Sequence, residues 1–204
     1  MVNFGAFSGK TIVKPLREAM GNTGLIWISY FSAAMTLLGL IVVFFWFRSN
    51  KKAGEGKRIG EIFDGFISVL SNTRLLVLIL IITGFWMVQH QMYATMPKYV
   101  LRLAGEGASP SWYANVNPFV VFVTVGFVTH FLRKRTALYS MIIGMLIMPI
   151  SALFMASGNL MTGDILGMHP VAFMMVIGIA FQGFAETFIS PRYLEYFSFQ
   201  APKG

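Results

Sequence analysis

PVAFMMVIGIAFQGFAETFI, residues 170–189, is twenty residues long and carries one charged side chain, Glu186. A bilayer's hydrocarbon core takes about 20 apolar residues as an α-helix, so this stretch reads as a membrane span and decides the fold class. The carboxylate inside it is the anomaly. Insertion scales put the cost of a charge at mid-membrane at roughly 2.5–3.5 kcal/mol, and such groups usually mark a function. Gln182 precedes Glu186 by four residues, which places both on one helix face. Gly178 and Gly183 leave room for another helix to approach that run. Hydropathy alone fits equally a Glu186 that sits hydrated at the interface.

The rest of the chain agrees with a membrane reading. It has 204 residues, of which 56% are hydrophobic and 12% charged. A soluble domain is about 25% charged, so there is too little charge here to cover a water-facing surface. Four further stretches are long and apolar enough to span: Gly24–Phe47, Leu75–Tyr93, Asn117–Leu132 and Ala137–Ala156. The third is short, and Trp112 and Tyr113 extend and anchor it at the interface. Val2–Ala19 reads as part of a sixth helix, interrupted by Lys10 and Lys14. The fold class is therefore all-α, a polytopic transmembrane helical bundle. No cleavable signal peptide is visible in MVNFGAFSGKTIVKP, and the absence of cysteine excludes disulfides and thiolate metal sites.

The net charge of +8 is a topology signal and calls for no nucleic acid. Arg48, Lys51, Lys52, Lys57 and Arg58 follow the first full span; Arg133, Lys134 and Arg135 follow the third. Both clusters fall on one side of the membrane, and the loops on the other side hold only Lys98 and Arg102 as cations. The positive-inside bias makes the basic loops cytoplasmic. Between them, IGEIFDGFISVLSN places Ile59, Ile62, Phe63, Phe66, Ile67 and Leu70 at helical spacing. That segment is too polar to span and reads as an amphipathic connector on the cytoplasmic surface.

Motifs for catalysis are missing. SGKT at residues 8–11 lacks the first glycine of a phosphate loop, whose position is held by Phe4, and no strand precedes it. No HExxH, GxSxG or metal-ligand spacing occurs, so the chain is expected to be no enzyme and to need no cofactor. Polar residues within apolar runs remain. Trp86 and His90 are four apart and share a face, a pattern that suits a cavity lining with a proton site, since histidine titrates near pH 6.5. Asn3, Lys10, Lys14 and Arg17 form a second stripe, which suits either a water-filled path for an anionic group or a helix end leaving the membrane.

These residues, taken together, resemble the proton-dependent oligopeptide transporters of the major facilitator superfamily. Glu186, Ser190-Pro191, Leu194-Glu195 and Ala201-Pro202 keep the spacing of the family's tenth-helix pattern. FWMVQHQ (85–91) is similar to its seventh-helix Phe-Trp-x-x-x-Glu-Gln, Asn117-Pro118 to the start of its eighth, and Asn3-Phe4-Gly5 to its fifth. The resemblance implies a chain running from the end of the fifth helix to the loop after the tenth. Its divisions would be residues 1–48 (fifth and sixth helices), 49–74 (basic loop and connector), 75–189 (four spans) and 190–204 (a cytoplasmic loop). The missing helices, or a partner chain, would complete it in the plasma membrane.

The implied function is proton-coupled uptake of small peptides by alternating access. Asn3, Trp86, Gln91, Asn117 and Glu186 would bind substrate, Glu186 receiving its amino terminus, and His90 and Glu186 would couple protons. His90 stands where the family has a carboxylate, and its charged form has the opposite sign. The alternatives are a facilitator for another organic anion or drug-like solute, favoured by the Lys10, Lys14, Arg17 face, and a truncated membrane subunit with no transport role.

Overall fold

Helix starts follow from local chemistry. Asn72 accepts a hydrogen bond from Leu75 N–H at 3.2 Å, and Thr136 accepts one from Tyr139 N–H at 3.3 Å. Each side chain satisfies one of the donors that a first helical turn leaves unpaired. In this computed structural model residues 2–21, 23–46, 58–105 and 107–200 are described. They form α1 (Val2–Met20), α2 (Thr23–Trp46), α3 (Ile59–Ser71), α4 (Thr73–Ala94), α5 (Met96–Ala104), α6 (Pro110–Leu132), α7 (Ala137–Ser157) and α8 (Pro170–Gln200), with a 3-10 turn at Gly158–Leu160. Among the described residues there is no strand, only an isolated bridge between Ile165 and Met168. Arg48, Lys51, Lys52, Lys57, Ala201 and Pro202 lie outside the described residues.

Among the described residues five helical stretches are long and apolar enough to cross a membrane: Ile26–Trp46, Thr73–Ala104, Pro110–Leu132, Ala137–Leu160 and Pro170–Phe199. The all-α polytopic bundle is thus what the chain forms. α2 makes the solvent plain. Leu40, Val42, Val43 and Phe44, spread round the helix, are 45–80% exposed, and a helix apolar all round belongs in a core or in lipid.

Three boundaries differ from the sequence reading. Asn117–Leu132 begins about two turns earlier, at Pro110, beyond the Trp112 and Tyr113 expected to extend it. The stretch after Tyr93, read as loop, turns at Thr95 and continues as α5; Pro97 sits in its first turn, where a missing N–H costs nothing. The loop expected over 190–204 is helical as far as Gln200. Ser190-Pro191 does not stop α8, because Arg192 donates to Leu132 C=O at 2.8 Å and to Glu195 at 2.7 Å. Tyr193, Tyr196 and Phe197 also keep helical spacing and pack on the apolar core.

α8 is the central helix. It lies along α7 and α6 and also touches α4 and α5. Close approach comes from small residues. A Cβ on Gly178 would stand 2.9 Å from Ser151 C=O, and Ser151 Oγ donates to Gly178 C=O at 2.7 Å. Ser140 Oγ donates to Phe188 C=O at 2.7 Å in the same seam. A hydroxyl paired with a backbone carbonyl across two helices is the packing expected where lipid removes the hydrophobic drive. α1 packs on α6 through Phe4–Phe122 and Phe7–Phe119 ring contacts. α3 has no buried residue; its apolar stripe is open, as an interfacial connector requires.

Candidate functional site

Two apolar clusters define the interior. One joins Met92, Met96 and Val100 to Ala172, Met175 and Ile179; the other joins Leu78, Ile82 and Phe85 to Met141, Met148 and Ile189. α4 passes from the second cluster to the first, and α8 from the first to the second, so the two helices run in opposite senses. Between the clusters both helices carry polar side chains inward: Gln89 on α4, Gln182 and Glu186 on α8. A polar layer therefore crosses the middle of the bundle.

Glu186 is the centre of that layer. Its Oε2 accepts from Gln89 Nε2 at 2.7 Å and from Asn117 Nδ2 at 3.2 Å. Gln89 and Asn117 are 2% and 4% exposed, so both donors are fixed by packing. Three helices thus meet on one oxygen. Gln182 Nε2 donates to Gln89 C=O at 3.3 Å and ties α8 to α4 again. Gly183 makes the approach possible, since a Cβ there would come within 2.9 Å of Asn117 C=O. Hydrogen bonds to an ionised carboxylate are roughly twice as strong as neutral ones, which offsets part of the cost of a charge in lipid.

Cations stand nearby without closing on the carboxylate. His90 directly follows Gln89 on α4, and among the described residues neither it nor Lys10 forms an ion pair with Glu186 within 4.0 Å. Lys10 Nζ instead donates to Tyr93 Oη at 2.8 Å. α1 is held for this by Asn115 Nδ2, which donates to Thr11 Oγ1 at 2.7 Å. His90 lies exposed between two rings, 5.9 Å from Trp86 and 6.5 Å from Tyr93. Trp86 also meets Tyr193 at 6.1 Å.

The expected residues divide accordingly. Glu186 and Asn117 are joined directly, with Trp86 and His90 on the stripe beside them. Gln91 opens to a separate cavity of about 220 Å³ between α4, α7 and α8, where it accepts a hydrogen bond from Thr95. Asn3 lies half-buried in the first turns of α1, two helical turns before Lys10. Gln89 and Asn115 were not singled out by the sequence reading. Gln89 had a signal: Leu75, Leu78, Ile82, Phe85, Gln89, Met92 and Met96 are the buried side chains of α4 and of the first residue of α5. Their spacing alternates three and four, and Gln89 is the one polar member.

Fold and site define a polytopic α-helical membrane bundle with a carboxylate held by amides at its interior. Comparison with protein-family models, with curated proteins and with solved structures finds no match.

Proposed function

We propose that the chain is a membrane-embedded part of a secondary transporter of the proton-dependent oligopeptide type, with Glu186 receiving the amino terminus of a small peptide. The observation that supports this most is the carboxylate itself. A charge on a membrane helix that faces the bundle interior, fixed by side chains from two other helices, is the pattern of a substrate or ion site. The order of the Asn3, FWMVQHQ, Asn117-Pro118 and Glu186-x-x-x-Ser-Pro motifs supports the family. Transport would proceed by rocking of helical bundles about this layer, with His90 and Glu186 exchanging protons. Basic loops flanking Arg58 and Arg133–Arg135 would face the cytoplasm, in the plasma membrane.

A ligand that binds only the folded state raises stability by mass action, about 2.7 kcal/mol at a hundred times its Kd. A thermal-shift series on the purified chain with dipeptides and simple carboxylates tests the reading. Dipeptides should raise Tm in a concentration-dependent way. A Tm that responds to no solute would favour the non-transporting subunit.

A further inference from the structure

We infer that the cavity bounded by the second half of α1, the end of α4 and the start of α6 is a binding site for a small organic carboxylate with an apolar body. Its volume is about 590 Å³, inside the range of roughly 300–1,000 Å³ typical of small-molecule sites. Lys10, Lys14 and Arg17 all line it. They are spaced four and three apart, one face of a helix, and extend over about 10 Å at 1.5 Å per residue.

Two of the three cations lie against aromatic rings. Lys10 lies 4.3 Å from the ring centre of Tyr93, and Lys14 lies 4.8 Å from that of Trp112. Aromatic faces attract an ammonium without carrying a countercharge. Among the described residues Glu18 is the one carboxylate in the lining; it reaches Lys14 at 3.5 Å and is 67% exposed. Lys10, Lys14 and Arg17 stand against it, so the described lining keeps an excess of positive charge. Ligand carboxylates form strong charge-assisted bonds to such donors. The remaining wall is largely apolar, with Val13, Met92, Pro97, Leu101 and Ala114, and a bare inorganic anion would leave it uncovered. The apolar wall therefore selects a ligand with a hydrocarbon part beside its charge.

Lys10 and Tyr93 belong to this cavity and are hydrogen-bonded to each other, and Tyr93 lies one helical turn after Gln89, the donor to Glu186. The two sites are neighbours of opposite sign. The inference rests on the proposed transport reading only in treating them as the two ends of one zwitterionic substrate; carboxylate binding stands on the cavity alone. The acidic headgroup of a lipid offers the same anionic chemistry.

Isothermal titration of the full chain in neutral detergent tests this, with benzoate as probe and benzyl alcohol as its uncharged counterpart. Benzoate should bind, benzyl alcohol should bind at least tenfold more weakly, and added salt should weaken benzoate alone. Lys14→Gln with Arg17→Gln should weaken benzoate at least tenfold, whereas Arg133→Gln, at the other end of α6 and outside the lining, should leave it within twofold. The inference is overturned if benzyl alcohol binds as well as benzoate, or if the double variant binds normally. It is equally overturned if Arg133→Gln weakens benzoate as much as the double variant does, or if short-chain phosphatidylglycerol fills the site and benzoate cannot displace it. Should the double variant fail to fold, the salt and benzyl alcohol comparisons on the unmodified chain decide. Benzoate binding with no peptide-dependent shift would leave this site standing and the transport reading alone refuted.

Discussion

Gln89 on α4 and Glu186 on α8 meet across a 2.7 Å hydrogen bond between residues ninety-seven apart in sequence. The contact joins two helices of opposite sense at the level where both change from one apolar cluster to the other. It also fixes which oxygen of Glu186 is occupied by protein, since Asn117 donates to the same Oε2.

That bond should be visible in stability. Gln89→Leu removes a buried donor and leaves a carboxylate less satisfied, a loss of about 1–3 kcal/mol. The double variant with Glu186→Leu should recover part of the loss, because removing both partners costs less than removing one. Unfolding of the three variants in detergent, compared as a double-mutant cycle, measures the coupling.

Gly183 gives a steric test. Gly183→Ala puts a methyl 2.9 Å from the Asn117 carbonyl, and overpacking of this order costs about 1–3 kcal/mol. Gly126→Ala on α6 meets nothing within 4 Å and should be neutral or slightly stabilising, as helix propensity favours alanine. Equal Tm values for the two variants would contradict the α6–α8 contact.

Arg192 anchors the end of α8. Arg192→Ala removes its bonds to Leu132 and Glu195. Amide exchange should then quicken by tenfold or more over residues 190–200, with the polar layer unchanged. Uniform exchange along α8 before and after substitution would show that Arg192 holds nothing.

The proposed coupling predicts a functional loss. His90→Ala and Glu186→Gln should each abolish substrate-dependent proton flux in the functional protein. Flux at the unsubstituted rate in both would end that assignment.

How much of this was legible beforehand varies with the physics of each feature. Spans were readable because lipid demands about 20 apolar residues per helix, and Pro170–Ile189 needed no tertiary information. Glu186 stood out for the same reason. Gln89 did not, because a polar residue becomes notable only once the stripe from Leu75 to Met96 is known to be buried, and α4 is apolar on other faces too. His90 drew attention by its chemistry, yet it lies one position round the helix from the buried stripe and is exposed. The helix through Pro191 depended on Arg192 finding Leu132 sixty residues away, which local turn signals do not encode. The cation stripe of α1 was readable as a face, but the cavity beneath it needed α4 and α6 in place.

The transport proposal turns on Glu186 presenting its carboxylate to the cationic end of a substrate. Titration calorimetry of a dipeptide with a free amino terminus, and of its N-acetylated form, against the unsubstituted chain and Glu186→Gln tests it most directly. The free dipeptide should bind the unsubstituted chain, with at least a tenfold loss on either acetylation or substitution. Equal affinity for the acetylated dipeptide, or undiminished binding to Glu186→Gln, would contradict it.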